Sequence, residues 1–221
     1  MCKDSSVESK HLLEQYFDAA ANLYGIITFK KLFEIYNMQN EPIDEKAFIE
    51  FVDTLDLSHK FFDIVGEDEF YDDKDETLPI DRDLVAEYLL QDEDFEGYYH
   101  IKEGQLGKPY YIPDKKQFLK YEDEYYHEKT LSFISLRAFF RNQPNFTKER
   151  ADEIAEDIYG MANPLDGEME SVVSIIEDLN MFHFNTYTLK EFYSLYTDMY
   201  NDTRLHINCG HTPNEMFELH P

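Results

Sequence analysis

Basic side chains are scarce in this sequence. Its 221 residues include 20 Lys and Arg against 47 Asp and Glu, which gives a formal net charge of −27. Binding to a phosphate backbone depends on Lys and Arg, so we do not expect direct nucleic-acid binding. A field of this sign repels anionic membranes and attracts basic protein surfaces. The 17 Tyr and 18 Phe nevertheless indicate a folded chain, because disordered acidic segments contain few aromatic residues.

Cysteine and long apolar runs are rare as well. The two cysteines, Cys2 and Cys209, lie near opposite ends of the sequence, and this spacing does not indicate a disulfide framework. The first residues contain no apolar segment typical of a signal peptide. No apolar run approaches the roughly 18 residues that would indicate a membrane-spanning helix. We therefore expect a cytoplasmic protein that makes no contact with a membrane.

Motifs that carry catalysis are also missing. The sequence contains no G-x-S-x-G, no G-x-x-x-x-G-K-[ST], no H-E-x-x-H and no G-x-G-x-x-G. Carboxylate pairs are abundant, but a pair of acids without known geometry does not identify an acid and a base. We therefore expect a non-enzymatic protein that needs no cofactor.

Residues 23–71 predict a winged-helix-like unit. Thr28 and Asp44 are the predicted N-caps of two amphipathic helices, which follow a first helix near the N-terminus. Two short aromatic runs at 61–65 and 69–71 predict the two strands of a wing. This fold is often used on DNA, yet the predicted wing is acidic. The fold and its charge therefore point to different partners.

The whole chain is predicted to be mainly α. We expect a winged-helix-like domain with a small β-hairpin over 1–78, then a helix capped by Asp81 and an irregular, Gly- and Pro-containing connector over 79–113. A helical domain is expected over 114–221, because apolar residues recur there at helical spacing. One of its helices is predicted to begin at a capping box opened by Thr188.

The last residues predict a short terminal helix. Thr212 is its expected N-cap, Pro213 fits the first helical position, and Glu215 completes a capping box. Met216 and Phe217 are then expected to pack into the core. Loss of this tail should destabilise the fold.

An acidic band between Asp63 and Glu96 is the strongest functional signal. Its 34 residues contain 15 acidic and two basic side chains, a net charge of −13. We interpret the band as a surface that binds a basic surface of a partner protein, with imitation of nucleic acid as the sharper form of this hypothesis. The alternative is a solvated acidic face that keeps the protein monomeric. The predicted partner-binding residues are Asp63, Glu67, Asp68, Glu69, Asp72, Asp73, Asp75 and Glu76.

A calcium-binding loop is one alternative within this region. Asp92, Asp94 and Glu96 match positions 1, 3 and 5 of an EF-hand loop, Gly97 matches position 6, and Glu103 matches the bidentate ligand at position 12. Glu is longer than the usual residue at position 5, and little sequence remains for an exiting helix. A metal-responsive protein is therefore the alternative function.

A zinc site is the other metal hypothesis. His206, Cys209 and His211 place two imidazoles and a thiol within six residues, and His220 or Glu215 would supply a fourth ligand. Structural zinc sites usually bring their ligands as two separated pairs, and no C-x-x-C is present. The opposing interpretation is a loop whose polar groups form local hydrogen bonds.

Direct DNA binding would require a basic patch assembled by folding. The candidate residues for such a patch are Lys30, Lys31, Lys115, Lys116 and Lys120.

Three blocks of sequence resemble a known group of proteins. They are residues 23–37 (LYGIITFKKLFEIYN), 107–113 (GKPYYIP), and 201–205 (NDTRL) followed by 210–215 (GHTPNE). In this order they resemble an uncharacterised family of acidic cytoplasmic proteins of Firmicutes bacteria and their mobile elements. Some members of that family end in a Cys-rich, zinc-binding SEC-C tail. This sequence contains no such tail, so the resemblance implies neither that metal site nor a catalytic residue.

Overall fold

The chain folds as two compact units, residues Met1–His127 and Glu128–Pro221. A computed structural model describes residues 2–70, 76–92, 94–144, 146–163 and 167–219, without the side chains of 2–8 and of Glu67. The fold is mainly helical, as predicted, and the small β-hairpin is part of a three-stranded antiparallel sheet. Among the described helices, none combines the length and apolar character needed to cross a membrane.

The first unit combines helices and the sheet. Its elements are α1 (Cys2–Tyr24), β1 (Ile26–Thr28), α2 (Phe29–Gln39), α3 (Glu45–Val52), β2 (Phe62–Val65), β3 (Asp83–Ala86), α4 (Glu96–Gln105) and α5 (Lys115–Phe118). Short 3₁₀ turns occur at Glu67–Glu69, Pro79–Asp81, Glu87–Leu90 and Leu119–Glu122.

The sheet has the strand order β1-β3-β2. Leu84 at its centre pairs with Ile27 of β1 and with Ile64 of β2, and both pairings are antiparallel. A helix, a strand, two helices and two further strands therefore follow one another, which is the order expected of a winged-helix-like unit.

The predicted partner strand of the wing was wrong. Residues Glu67–Glu69 form a 3₁₀ turn, residue 71 lies outside the described residues, and the second strand is Asp83–Ala86. For the segment after Asp81, which contains this strand, the sequence predicts a helix. All four residues of β3 are buried, and a short apolar run of this kind does not distinguish a buried strand from a buried helix.

The predicted irregular connector contains a helix. In α4, Tyr98, Ile101 and Gln105 are buried at helical spacing, and the Gln105 side chain donates hydrogen bonds to the carbonyls of Tyr24 (2.9 Å) and Ile26 (3.2 Å). These bonds fasten α4 to the edge of β1. The first compact unit includes residues 79–113 and α5 and ends at His127, whereas the sequence predicts a boundary at residue 114.

The core of the first unit is built around an aromatic cluster. The fully buried ring of Phe17 lies 5.6 Å from Phe29, 5.5 Å from Phe48, 5.6 Å from Phe51 and 6.3 Å from Phe62, measured between ring centroids. One α1 side chain thus joins α2, α3 and β2. Aromatic rings at these separations are attracted beyond the burial of their area.

The second unit is helical. It consists of α6 (Leu131–Arg141), α7 (Lys148–Gly160), α8 (Met169–Asp178), α9 (Thr186–Asn201) and α10 (Pro213–Leu219), with a 3₁₀ turn at His206–Asn208. Its core includes Phe139 and Phe140 of α6, which pack against Phe192 of α9 at 6.4 and 6.2 Å.

The start of α9 differs from the prediction. The N-cap is Asn185, whose side chain accepts hydrogen bonds from the backbone of Tyr187 and Thr188. The Thr188 hydroxyl accepts in return from the Asn185 N–H, so Thr188 is the third residue of the helix and not its cap. An Asn cap competes well with Thr, which explains the shift of three residues.

The capping box of the last helix is confirmed, but its packing is not. The Thr212 hydroxyl accepts from the N–H of Glu215 at 3.1 Å, and the Glu215 carboxylate accepts from the N–H of Thr212 at 3.1 Å. Phe217 is 77% exposed, so its predicted insertion into the core was wrong, and Met216 is only partly buried. α10 is held instead through the carboxylate of Glu215.

Candidate functional site

The helix-turn-helix of α2 and α3 is the scaffold of the candidate site. Thr28 and Asp44 cap the two helices as predicted, accepting hydrogen bonds from the N–H groups of Lys31 and Ala47. In the turn, the side-chain amide of Asn37 accepts from the N–H of Ile43 at 2.9 Å and donates to its carbonyl at 3.1 Å. These two hydrogen bonds fix the direction in which α3 leaves the turn.

α3 presents an acidic outer face. Phe48 and Phe51 point into the core, because they lie on one side of the helix. The exposed charged side chains of α3 and its two caps are Asp44, Glu45, Lys46, Glu50 and Asp53, four acidic and one basic. The ammonium of Lys46 lies 3.3 Å from the Glu50 carboxylate. In DNA-binding helix-turn-helix proteins this second helix enters the major groove, and such a charge opposes that use.

The connection between β2 and β3, residues 66–82, is the wing. Its described residues are held together by its own acidic side chains. The Asp68 carboxylate accepts from the N–H of Thr77 at 3.0 Å, and the Glu69 carboxylate accepts from the N–H of Gly66 at 2.8 Å. The hydrogen bonds from Thr77 lower the pKa of Asp68 below its usual range, so Asp68 stays ionised.

The hydrogen bonds that bring Asp68 and Thr77 together require glycine at position 66. A β-carbon there would lie 2.9 Å from both Cβ and Oγ1 of Thr77, closer than real Cβ contacts allow. Asp68 and Thr77 therefore approach each other only because residue 66 has no side chain.

The predicted partner-binding residues that are described lie on the surface. Asp63, Asp68, Glu69 and Glu76 are exposed, and Asp63 accepts a hydrogen bond from the N–H of Ile64 at 2.8 Å. Glu67 begins the 3₁₀ turn of the wing. The remaining predicted residues, Asp72, Asp73 and Asp75, lie outside the described residues.

One member of the acidic band is not on the surface. Asp83 is buried in β3, where its carboxylate accepts hydrogen bonds from the Tyr98 hydroxyl at 2.9 Å and from the Lys102 ammonium. This carboxylate joins the sheet to α4. Its function is therefore structural, and the exposed band is smaller than the sequence suggested.

The wing and α3 are neighbours. The 3₁₀ turn Pro79–Asp81, in the last part of the wing, packs against both α2 and α3. We call the exposed carboxylates of α3 and of the described wing the acidic face. The first unit as a whole contains 31 acidic and 13 basic residues, a net charge of −18.

The contribution of α3 to the acidic face was missed from the sequence. Its signal was present, because Asp44, Glu45, Glu50 and Asp53 surround Phe48 in a short segment predicted to be an amphipathic helix. The acidic residues that follow Asp63 are the more prominent feature of the sequence, because they are clustered in the chain.

The calcium-loop alternative does not fit the structure. Gly97, the residue expected at the sharp turn of the loop, is the second residue of α4. Glu96 and Glu103 stand at opposite ends of that helix, about 10 Å apart along its axis at 1.5 Å per residue. Asp92 and Asp94 are exposed before it.

The zinc cluster is also dispersed. His206 and Cys209 are buried, and the Nδ1 atom of His211 lies 3.1 Å from the Glu215 carboxylate. Within the described part of the chain, no three His, Cys, Asp or Glu side chains are placed to hold a metal ion.

The candidate basic residues do not form one patch. Lys115 donates to the Asn40 side chain, just after the last turn of α2, at 2.6 Å. Lys30 and Lys31 lie in the first turn of that helix, roughly 15 Å away along its axis, and Lys31 pairs with Glu34.

Comparison with known proteins gives no match. No protein-family model matches this chain, and no curated protein or solved structure matches it either. The resemblance to the acidic Firmicutes family therefore stays a prediction based on the three sequence blocks.

Proposed function

We propose that this chain is a non-enzymatic interaction protein whose acidic face binds a basic surface of a partner protein in the cytoplasm. The observation that supports this proposal is the negative charge of α3, the helix that contacts DNA in DNA-binding helix-turn-helix proteins. α3 keeps the buried aromatic residues that position such a helix, but the exposed charged side chains of the helix and its two caps are Asp44, Glu45, Glu50 and Asp53 against Lys46 alone. A positively charged surface is the complement to this face.

The sharper form of the proposal is imitation of nucleic acid. A basic surface that binds phosphates would also bind ionised carboxylates held at fixed positions. The hydrogen bonds of Asp68 and Glu69 favour this form, because they hold the described part of the wing in place before binding and so reduce the entropy lost on association. The partner would then be a nucleic-acid-binding protein, and nucleic acid would compete with this chain for it.

The experiment compares two variants that remove the same charge from different units. Glu45→Gln with Glu50→Gln removes two carboxylates from α3, and Glu170→Gln with Glu177→Gln removes two from equivalent positions of α8. Each pair consists of exposed residues, one in the first turn and one near the end of its helix. The two variants therefore have equal net charge.

Partners are captured from lysate at low salt with crosslinking and identified by mass spectrometry. We expect basic partners to be retained by the α8 variant and lost from the α3 variant, and their binding to weaken as salt rises. Added duplex DNA should release them if the chain imitates nucleic acid. Equal capture of every basic partner by both variants, or no basic partner at low salt, would refute the proposal.

A further inference from the structure

α6 carries two exposed apolar side chains in addition to the apolar face that it buries. Phe133, Leu136 and Phe140 are buried in the core of the second unit. On the other side, Leu131 is 83% exposed and Ile134 is 39% exposed, and they share one face of the helix. This small exposed apolar face is available to another molecule.

A cleft of about 430 Å³ lies beside this face. Leu131 and Ser135, one turn apart on α6, form one wall. Leu195 and Asp198 of α9 lie on the wall opposite, together with Asp202 just beyond its end. Residues 195, 198 and 202 recur at helical spacing, so the cleft follows the groove between the two helices.

The end of the cleft is closed by α10. Asn214 lines it and donates a hydrogen bond to the Asp202 carboxylate at 2.9 Å. Glu215, the next residue of α10, is hydrogen-bonded to Arg204 at 2.9 and 3.2 Å. These bonds hold α10 beside α9, so the cleft is a formed feature of the second unit.

The chemistry of the cleft selects its occupant. Leu131 and Leu195 offer apolar contacts, while Asp198 and Asp202 offer negative charge, and of the described residues that line the cleft none is positively charged. We propose that this cleft docks a basic amphipathic helix of a partner protein, with apolar residues against the leucines and Lys or Arg beside the carboxylates. Grooves between helices commonly bind amphipathic helices in this way.

Charge decides between a partner protein and a second copy of this chain. The second unit contains 16 acidic and seven basic residues, and the whole chain has a net charge of −27. Docking of a second copy would bring like charges together across Asp198 and Asp202. This site involves neither α3 nor the wing, so it goes beyond the proposed function and is tested separately.

The test uses a defined probe, a fluorescein-labelled 18-residue Leu/Lys peptide that forms an amphipathic helix, with a Leu/Glu peptide as the control. Binding is measured by fluorescence anisotropy in 0.15 M salt with the full chain. Leu131→Ser is matched with Leu179→Ser, since both leucines are exposed in the second unit. Asp198→Asn is matched with Asp157→Asn, which removes the same charge from an exposed position of α7.

We expect the Leu/Lys peptide to bind about tenfold more weakly to Leu131→Ser and about fivefold more weakly to Asp198→Asn. Leu179→Ser and Asp157→Asn should stay within about twofold of the unchanged chain, and the Leu/Glu peptide should not bind. All four substitutions are at exposed positions, so circular dichroism should show unchanged folding. Hydrogen exchange of the unchanged chain should show protection in α6 and α9 when the peptide is bound.

Equal loss of affinity in all four variants would overturn the proposal, because it would indicate diffuse attraction to an acidic protein. Protection elsewhere than α6 and α9 would overturn it as well. A dimer in sedimentation velocity that Leu131→Ser dissociates would also refute it, by identifying a second copy as the occupant.

Discussion

Arg204 anchors the last helix of the second unit, and its replacement is the sharpest test of the structure. Its guanidinium donates to Glu128 at 3.1 Å, to the carbonyl of Gly210 at 3.0 Å, and to both oxygens of Glu215 at 2.9 and 3.2 Å. The side chain is only 10% exposed. A planar guanidinium satisfies these acceptors at once, which an ammonium group does not.

Arg204→Met would leave two carboxylates facing each other without their cation. Removing one partner of a buried ion pair costs about 3–5 kcal/mol. Glu128 and Glu215 are 28% and 36% exposed, so water compensates part of the lost interaction. We therefore expect a loss near the low end, about 3 kcal/mol. For a unit of this size each kcal/mol shifts Tm by 4–8 °C, so Tm of the second unit should fall by roughly 12–24 °C.

The assay is urea unfolding followed by far-UV circular dichroism, with separate fits for two transitions if the units unfold independently. Arg150→Met is the matched control, since Arg150 is 44% exposed and lies 3.4 Å from an exposed Glu153. This control should stay within about 0.5 kcal/mol of the unchanged chain. Arg204→Lys should lose an intermediate amount of stability, because lysine keeps the positive charge but lacks the planar set of N–H donors of the guanidinium. A loss below about 1 kcal/mol for Arg204→Met would refute the anchoring role.

Two further predictions concern the wing and the pH dependence of stability. Gly66→Ala should destabilise the first unit by about 1–3 kcal/mol through the clash with Thr77, whereas Gly160→Ala, with open space around its Cβ, should stabilise by about 0.4–1 kcal/mol. Shifts of Tm in the same direction would contradict this. Burial, the largest single effect, favours the neutral form of Glu215, but the hydrogen bonds from Arg204, from the N–H of Thr212 and from His211, together with the charge of Arg204, outweigh it and lower the pKa of Glu215 below its usual value of 4.5. Its stabilising contribution is therefore complete above pH 4.5 and is lost as the pH falls through the lower pKa of the folded state. Urea unfolding of the unchanged chain and of Glu215→Gln should converge in acid, and a constant difference from pH 7 to 3 would be evidence against the ion pair.

Helix starts that depend on local chemistry were predictable. Thr28 and Asp44 cap helices as expected, and Asp114 and Thr147 cap α5 and α7 in the same way, each accepting a hydrogen bond from a backbone N–H three residues later. Such a bond closes within a few residues, so neighbouring sequence decides it. The capping box at Thr212 was predictable for the same reason.

The sequence by itself also determined the mainly helical class, the charge of the chain and the acidic character of the region after Asp63. These properties depend on composition and on periodicity along a few turns of chain. They do not depend on which distant segments meet.

Only the tertiary structure decided the strand at Asp83–Ala86 and the residues that form the acidic face. β3 is a strand because β1 and β2 supply its hydrogen-bonding partners, and Leu84 pairs with a residue far away in sequence, Ile27. The same folding buries Asp83 beside Lys102 and places the carboxylates of α3 next to the wing. Burial and proximity are properties of the packed chain, so a carboxylate that binds a partner and one that holds the core look alike in sequence.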